Sequence, residues 1–262
     1  MKLALAAILV GLGAFGGFAA GVLGFGGGVL MFPLLYYVPP LFGIAPMEAQ
    51  TVAATVASQV FFSTLSGGIA HFRSGRVKTR LAFTAGSVSA ASSFAGAIAS
   101  SWVSERFLLV LFGAVTVLVV LIMFLPAPNK SEEDSFDELS VPRVPLWFFS
   151  LLSGVVIGFL GAGNFIFVPV LIYLLRVPTR SAIGSSLVIA MMNTASGFLG
   201  KLVSGQLQWL ESACVVAGAL LGAPAGERVH RLLSSIALRQ IYAAMVTLIA
   251  VRVWLTIFGF DR

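Results

Sequence analysis

The sequence predicts an all-α integral membrane protein made of two inverted repeats, each with about five hydrophobic segments and with helices broken by glycine loops. Three observations predict this class: the composition, the spacing of the apolar runs and a similarity between the two halves. Of the 262 residues, 58% are hydrophobic and 10% are charged, and the mean hydropathy is +1.01. Soluble domains carry about 25% charged residues. The composition therefore excludes a soluble enzyme, a nucleic-acid-binding module and a disordered protein, and basic loops of a membrane protein explain the net charge of +6.

The apolar runs divide the chain into two sets of five segments, and a run near 20 residues is long enough to span a bilayer. The first set lies at about 3–23, 28–43, 47–70, 80–100 and 105–126. The second set lies at about 146–160, 164–176, 180–203, 207–227 and 235–259. This division predicts a first membrane repeat over 1–126, a linker over 127–145 and a second membrane repeat over 146–262.

The linker is acidic, because half of the ten acidic residues of the chain fall in it: Glu132, Glu133, Asp134, Asp137 and Glu138. Such a run predicts a solvated connector between two membrane halves. A segment that docks a partner protein is the alternative.

The two halves look like copies at an offset of 130 residues. The first-half residues Thr64, Ser66, Gly67, Ser74 and Gly75 then fall on identical second-half residues, which are Thr194, Ser196, Gly197, Ser204 and Gly205. A glycine loop and a following proline also occur in both halves, with Pro33 matching Pro169. Together these matches predict an internal repeat.

The distribution of Lys and Arg predicts the orientation of the repeats. With loop 71–80 in the cytoplasm, alternation of the spans places eleven of the 16 basic residues inside, four outside and Arg252 within a span. If segments 2 and 7 are re-entrant instead, the split falls to nine against six. The positive-inside rule therefore favours an odd number of crossings per half, and an odd repeat is inverted relative to its copy. The same alternation puts linker 127–145 in the cytoplasm.

Two glycine loops are the first candidates for substrate binding. The first contains Gly24, Gly26, Gly27 and Gly28, and the second contains Gly161, Gly163 and Asn164. Irregular backbone at membrane depth is tolerated where it lines a cavity or is buried in protein. Glycines let backbone N–H groups approach a ligand, and a helix that begins at such a loop favours an anion. A tight turn between helices is the alternative.

Hydroxyl and amide side chains at helical spacing mark one face of segment 3 and one face of segment 8. They are Thr51, Thr55, Gln59, Ser63 and Ser66 in the first set, and Ser181, Ser185, Asn193 and Ser196 in the second. Interhelical hydrogen bonding and the lining of a polar pathway are equally good interpretations. We expect Thr51, Thr55, Ser181 and Ser185 to close a central anion site between the two glycine loops.

Three further features have simpler predicted roles. Gly13, Gly17 and Gly21 form a ladder of small residues that is typical of close helix packing. Lys201 is expected at the membrane interface, near a helix end. Arg252 is expected to extend its charged group to the interface, and an inward orientation that neutralises substrate is the alternative.

The motifs quoted above resemble the sulfite exporter TauE/SafE family. The resemblance rests on both glycine loops with their prolines, on the segment start Thr179–Ser186, and on Ser196-Gly197 followed by Gly205-Gln206. It covers essentially the whole chain, although Asn164 stands where the family has a third glycine and one position is missing. The resemblance implies a secondary transporter, in a bacterial or archaeal cytoplasmic membrane, of small sulfur anions such as sulfite, sulfoacetate or other sulfonates.

The predicted function is therefore export of a small anion across the cell membrane by a multi-pass protein that is not an enzyme. The alternative is a membrane enzyme or a structural subunit, but acids outside the linker lie near segment ends, which does not favour hydrolytic or metal chemistry. No cofactor and no metal are predicted. The expected partners are the anion and the lipid bilayer, with no nucleic acid. A homodimer is compatible with such segments, although no residue pattern points to an interface.

Overall fold

The computed structural model describes residues 2–23, 27–73, 78–123, 141–163, 166–177, 179–233 and 235–259, and it contains no β-strand within these ranges. The first half holds helices α1 (Lys2–Leu23), α2 (Gly28–Leu41), α3 (Ala49–Arg73), α4 (Thr79–Ala99) and α5 (Glu105–Met123). A 3₁₀ turn, Ser100–Trp102, follows α4. The second half holds α6 (Arg143–Leu160), α7 (Phe167–Pro169), α8 (Thr179–Val203), α9 (Trp209–Leu232) and α10 (Ser235–Ile257).

Within the described ranges, ten α-helices thus occur where ten segments are predicted, and the all-α class is confirmed. The main difference is α7, which continues only as a π-helical turn over Val170–Leu174 and is shorter than the predicted segment 164–176. Within the described residues, six helices are long and apolar enough to cross a membrane, with spans at Leu5–Val22, Thr79–Trp102, Glu105–Ile122, Arg143–Leu160, Gly184–Val203 and Trp209–Gly226.

Large apolar side chains cover the outside of the bundle. Leu121 on α5, Leu221 on α9 and Leu248 on α10 are 61%, 75% and 71% exposed, and Phe148 on α6 is 60% exposed. Soluble monomers rarely expose contiguous apolar patches of such extent. This surface is suited to contact with lipid.

Helices α1 and α9 run parallel and form the most extensive helix pair. Glycines from both sides allow the approach: Gly13 and Gly17 of α1 lie against the backbone of Val215 and Ala219, while Gly222 of α9 lies against the backbone of Ala14. The predicted packing role is confirmed for Gly13 and Gly17. Small residues let membrane helices gain van der Waals contact at short range, where lipid offers no competing advantage.

Helices α4 and α6 form a second parallel pair of the same kind. Gly154 of α6 lies against Ser89 of α4, and Gly158 lies against Ser93 one turn further along both helices. Helix α8 also runs parallel to α4, because Gly86 faces Met192 near one end. Three parallel helices, α4, α6 and α8, therefore end on the same side of the molecule.

Helices α3 and α8 cross in opposite directions. The rings of Phe61 and Phe198 stack with centroids 5.5 Å apart, and the hydroxyl oxygens of Thr64 and Thr194 lie 3.2 Å apart. The residue number increases along α3 as it decreases along α8, so the two helices are antiparallel at their contact. The two threonines are the pair that the offset of 130 residues matches.

Candidate substrate site

Three described glycines of the two loops adopt conformations that disfavour other residues. Gly27, which precedes α2, has φ 67°, and Gly161, which ends α6, has φ 65°. Gly163 has φ 146°. Positive φ is costly for residues with a Cβ atom, so the turn interpretation explains these three glycines without a ligand.

The two loops nevertheless meet, and they meet near the midpoint of α3. An ideal Cβ on Gly28 would lie 2.9 Å both from Ala162 Cβ and from Val60 Cγ2. Gly161 lies one to two turns away along the same helix, against the backbone of Ala53 and Ala57. An added Cβ would collide with side-chain atoms at Gly28 and with backbone atoms at Gly161. Glycine at both positions therefore lets the start of α2 and the end of α6 share one buried region.

Three of the predicted loop residues, Gly24, Gly26 and Asn164, lie outside the described residues. The described donors beside them are the first N–H groups of α2. Leu30 and Met31 donate their N–H groups to Gly27 O at 3.1 Å. The N–H groups of Gly28 and Val29 have no acceptor within the helix, as is general for the first residues of a helix.

The four predicted hydroxyl residues are all buried, but they do not form one cluster. Thr55 accepts a hydrogen bond from Ser212 at the start of α9, at 3.4 Å, and Ser185 accepts one from the N–H of Lys78 at the start of α4, at 3.1 Å. Thr55 and Ser185 each precede the α3–α8 crossing by nine residues. Because α3 and α8 are antiparallel, these residues lie in opposite directions from the crossing, at roughly 13 Å each along the helix axes.

The same geometry separates Thr51 from Ser181, which are 7% and 4% exposed and lie one turn further from the crossing. One small anion cannot contact all four hydroxyls. The expectation of a single site closed by both faces is therefore corrected to two polar positions, one at Thr51 and Thr55 and the other at Ser181 and Ser185.

Amide groups occupy the space between these positions. Gln59 and Asn193 are fully buried, and their side-chain oxygens have no hydrogen-bond donor among the described residues. Gln59 donates to Ser63 at 3.1 Å, and Asn193 donates to Ser89 at 3.3 Å. The side-chain oxygens of these two buried amides thus lie near the α3–α8 crossing. Polar side chains were expected in this region, either as interhelical hydrogen bonds or as the lining of a polar pathway.

Lys201 lies in the last turn of α8, near a helix end as expected, but its side chain is buried in the protein, and its position at the membrane interface stays a prediction. Its side chain is 0% exposed, and its ammonium donates to Ser100 Oγ at 2.6 Å, Gln206 Oε1 at 3.0 Å and Phe159 O at 3.2 Å. Burial of a charge is costly unless hydrogen bonds compensate it, and ionisable residues within membrane proteins are typically paired or functional. The local sequence does not reveal this burial, because the last turn of α8 is covered by α4 and α6, which are distant in the chain.

Arg252 is exposed on α10, and its guanidinium carbon lies 5.1 Å from the centre of the Tyr37 ring. In this cation–π contact, the face of the Tyr37 ring on α2 attracts the positive charge of the guanidinium. The observation favours the surface interpretation of Arg252 over an inward one.

Comparison with known proteins adds a family to this geometry. Residues 9–253 match the family model described as sulfite exporter TauE/SafE. The chain belongs to this family. As a TauE/SafE member with six candidate spans, it is a multi-pass membrane transporter.

Curated relatives agree with the family assignment. A probable membrane transporter protein of Xylella fastidiosa (strain 9a5c) is 32% identical over 184 residues, which cover 69% of this chain and 67% of that protein. The probable membrane transporter protein YunE of Bacillus subtilis (strain 168) is 26% identical over 242 residues, which cover 86% and 88%. No solved structure matches the chain.

Proposed function

We propose that this TauE/SafE transporter is a secondary transporter that exports small sulfur-containing anions, such as sulfite, sulfoacetate or other sulfonates, across the cell membrane. The observation that carries the proposal is the meeting of the two glycine loops at Gly28 and Ala162, beside the midpoint of α3. The family description supplies the class of anion. The proposed residues of the central binding site are Gly24, Gly26, Gly27, Gly28, Gly161, Gly163 and Asn164. The hydroxyl residues Thr51, Thr55, Ser181 and Ser185 are proposed to contact the anion along the pathway on either side of that site.

Inverted repeats are part of the proposal, and the helix contacts support them. The pair α1–α9 has its counterpart in α6–α4 when the halves are exchanged, and both pairs are parallel and rich in glycine. The equivalent helices α3 and α8 cross antiparallel, with Thr64 against Thr194. A two-fold axis that exchanged the halves would pass through such a contact. Inverted repeats around a central site are a common transporter architecture.

In the proposed mechanism, backbone donors at the loops replace part of the water around the anion. A helix N-terminus stabilises an anion by about 0.3–1 kcal/mol when exposed and by up to about 2 kcal/mol when partly buried. The start of α2 and the amide of Asn164 would supply such donors. The two hydroxyl positions would then lie along the pathway, with Thr55 on one side of the centre and Ser185 on the other. Because none of these donors carries a full charge, the anion is able to leave.

The orientation of the protein also belongs to the proposal. The excess of Lys and Arg in loop 71–80 and around the second-half loops supports a cytoplasmic location for linker 127–145. The homodimer stays a prediction.

Counterflow into liposomes tests the proposed function. Purified protein is reconstituted in vesicles loaded with unlabelled sulfite or sulfoacetate, and the uptake of the labelled anion is followed. We expect labelled anion to accumulate above the level of protein-free vesicles and above the level of vesicles loaded with chloride. Absence of counterflow for sulfite, sulfoacetate and a simple alkyl sulfonate, with folded protein in the vesicles, would refute the substrate class.

A pair of isosteric variants tests the pathway. Thr55→Val removes the hydroxyl next to Ser212, while Thr116→Val removes an equally buried hydroxyl on α5 that donates only to Gly113 O in its own helix. We expect Thr55→Val to raise the substrate concentration for half-maximal counterflow and Thr116→Val to leave it unchanged. Equal behaviour of the two variants would remove Thr55 from the pathway.

A further inference from the structure

The buried ammonium of Lys201 lies where three helices end. Helix α4 ends at Ala99, α6 at Leu160 and α8 at Val203, and the three are parallel. The last carbonyl groups of any helix have no intrahelical donor, and together they give this end of the helix a partial negative charge. A cation among three such ends is stabilised without a carboxylate partner, and the three observed acceptors of Lys201 are all uncharged.

Each contact of the ammonium reaches one of these helix ends. The contact to Phe159 O satisfies a carbonyl of the last turn of α6. Ser100, which accepts from Lys201, donates its own hydroxyl to Ala97 O at the end of α4, at 2.6 Å. Gln206, the third acceptor, donates its amide to the same Ala97 O at 3.0 Å. The network therefore connects α8 to α4 and α6 through one charged group.

The second glycine loop begins two residues after Phe159. Gly161 donates its N–H to Ile157 O at 2.8 Å, and Ile166 donates its N–H to Gly163 O at 2.9 Å. Between them, Ala162 contacts the start of α2. The loop that meets the start of α2 therefore follows directly on the end of α6, where Phe159 O accepts a hydrogen bond from Lys201.

We propose that Lys201 is a positioning residue for the substrate site: its ammonium holds the end of α6, and so sets the contact between the second glycine loop and α2. The predicted effect of Lys201 on anion binding rests on the proposed function. The predicted effect of Lys201 on the position of the loop does not. Lys201 is assigned no contact with substrate, since its three N–H donors already have protein acceptors. Its loss should therefore weaken the binding of the anion more than it slows turnover at saturation.

The first test measures backbone hydrogen exchange in the full-length protein without substrate. In Lys201→Met, the amides of Gly161 and Ile166 should exchange about tenfold faster, the factor that corresponds to one lost hydrogen bond from a charged group. Peptides from the α1–α9 pair should be unchanged. Lys201→Arg keeps the charge and the donors and should restore most of the protection. Unchanged exchange at both amides in Lys201→Met would overturn the positioning role.

A matched pair of serines keeps the test valid if Lys201→Met fails to fold. Ser100→Ala removes one acceptor of the ammonium, whereas Ser101→Ala removes the neighbouring hydroxyl, which donates to Ile98 O at 2.7 Å at the same helix end. Ser100→Ala should loosen the loop in the same direction as Lys201→Met, and Ser101→Ala should leave it unchanged. Equal exchange in the two serine variants would contradict the proposal.

The second test measures sulfite binding and counterflow in the same variants. We expect Lys201→Met to raise the dissociation constant about tenfold while the saturated rate stays within about twofold of the wild type. Lost binding with unchanged exchange would mean that Lys201 contacts the anion directly, which overturns the positioning role. If wild-type protein binds no sulfite but exchange responds as expected, the proposed substrate fails while the structural part of the inference stands.

Discussion

The parallel glycine pairs make a quantitative prediction about stability. An ideal Cβ on Gly222 of α9 would lie 2.8 Å from the carbonyl carbon of Ala14 and 3.0 Å from its Cα, and closer still to its oxygen. Carbon atoms pack at about 3.5–4.0 Å, so Gly222→Ala must move α1 and α9 apart by roughly 1 Å. Overpacking of this kind costs about 1–3 kcal/mol. We take about 2 kcal/mol, because the obstacle is backbone and cannot rotate away.

The assay heats the detergent-solubilised protein to a series of temperatures and measures the folded fraction that remains by size-exclusion chromatography. For a chain of this size, about 2 kcal/mol lowers the melting temperature by about 4–8 °C. Gly11→Ala is the matched control, because it changes the same residue type on α1 where an added Cβ meets nothing within 4 Å. Its melting temperature should be unchanged or slightly higher, since alanine favours a helix by up to about 1 kcal/mol over glycine.

The second pair provides an independent check. Gly158 of α6 has the same environment, with an ideal Cβ 2.6 Å from the N atom of Ala97 and 2.9 Å from the carbonyl carbon of Gly96. Gly158→Ala should therefore lower the melting temperature by a similar amount. If Gly222→Ala is as stable as Gly11→Ala, the close approach of α1 and α9 is not what stabilises this pair, and the reasoning is wrong.

Three other predictions concern topology, surface charge and the helix crossing. Ser135→Cys in a Cys214→Ser background should not react with a membrane-impermeant thiol reagent in intact cells, because linker 127–145 is predicted to be cytoplasmic; efficient labelling there would contradict the inverted topology. Arg252→Met should retain counterflow within about twofold, because the guanidinium lies over Tyr37 at the protein surface, whereas complete loss of transport in a well-expressed variant would assign the arginine to the pathway. A double-mutant cycle of Thr64→Val and Thr194→Val should give a coupling of about 0.6 kcal/mol in thermal unfolding, the average for hydrogen bonds between membrane helices. Each hydroxyl also lies within hydrogen-bond distance of a carbonyl of its own helix, so one of the two must donate to the other instead, and strict additivity would show that the contact of 3.2 Å carries no energy.

The sequence by itself determined the fold class and the order of the helices. Length and composition were sufficient because a bilayer sets the length of an apolar helix, and a run of 18–25 apolar residues has few other stable uses. The glycine ladder of α1 was also readable, since Gly13 and Gly17 at a spacing of four share one helix face. The family resemblance rested on short motifs that are visible in the sequence itself, and the match over residues 9–253 confirms it.

Only the tertiary structure decided which polar residues lie together. Helical spacing placed Thr55 and Ser185 on the polar faces of α3 and α8. The two helices cross antiparallel, which separates these residues, and the relative direction of two helices is known only once they are packed. Lys201 shows the same limit. Its position near a helix end predicted a place at the membrane interface and did not reveal its burial, in which Ser100, Gln206 and the carbonyl of Phe159 accept hydrogen bonds from the ammonium. Burial depends on neighbours that are distant in the chain, such as Ser100 and Phe159, and a local pattern carries no information about them.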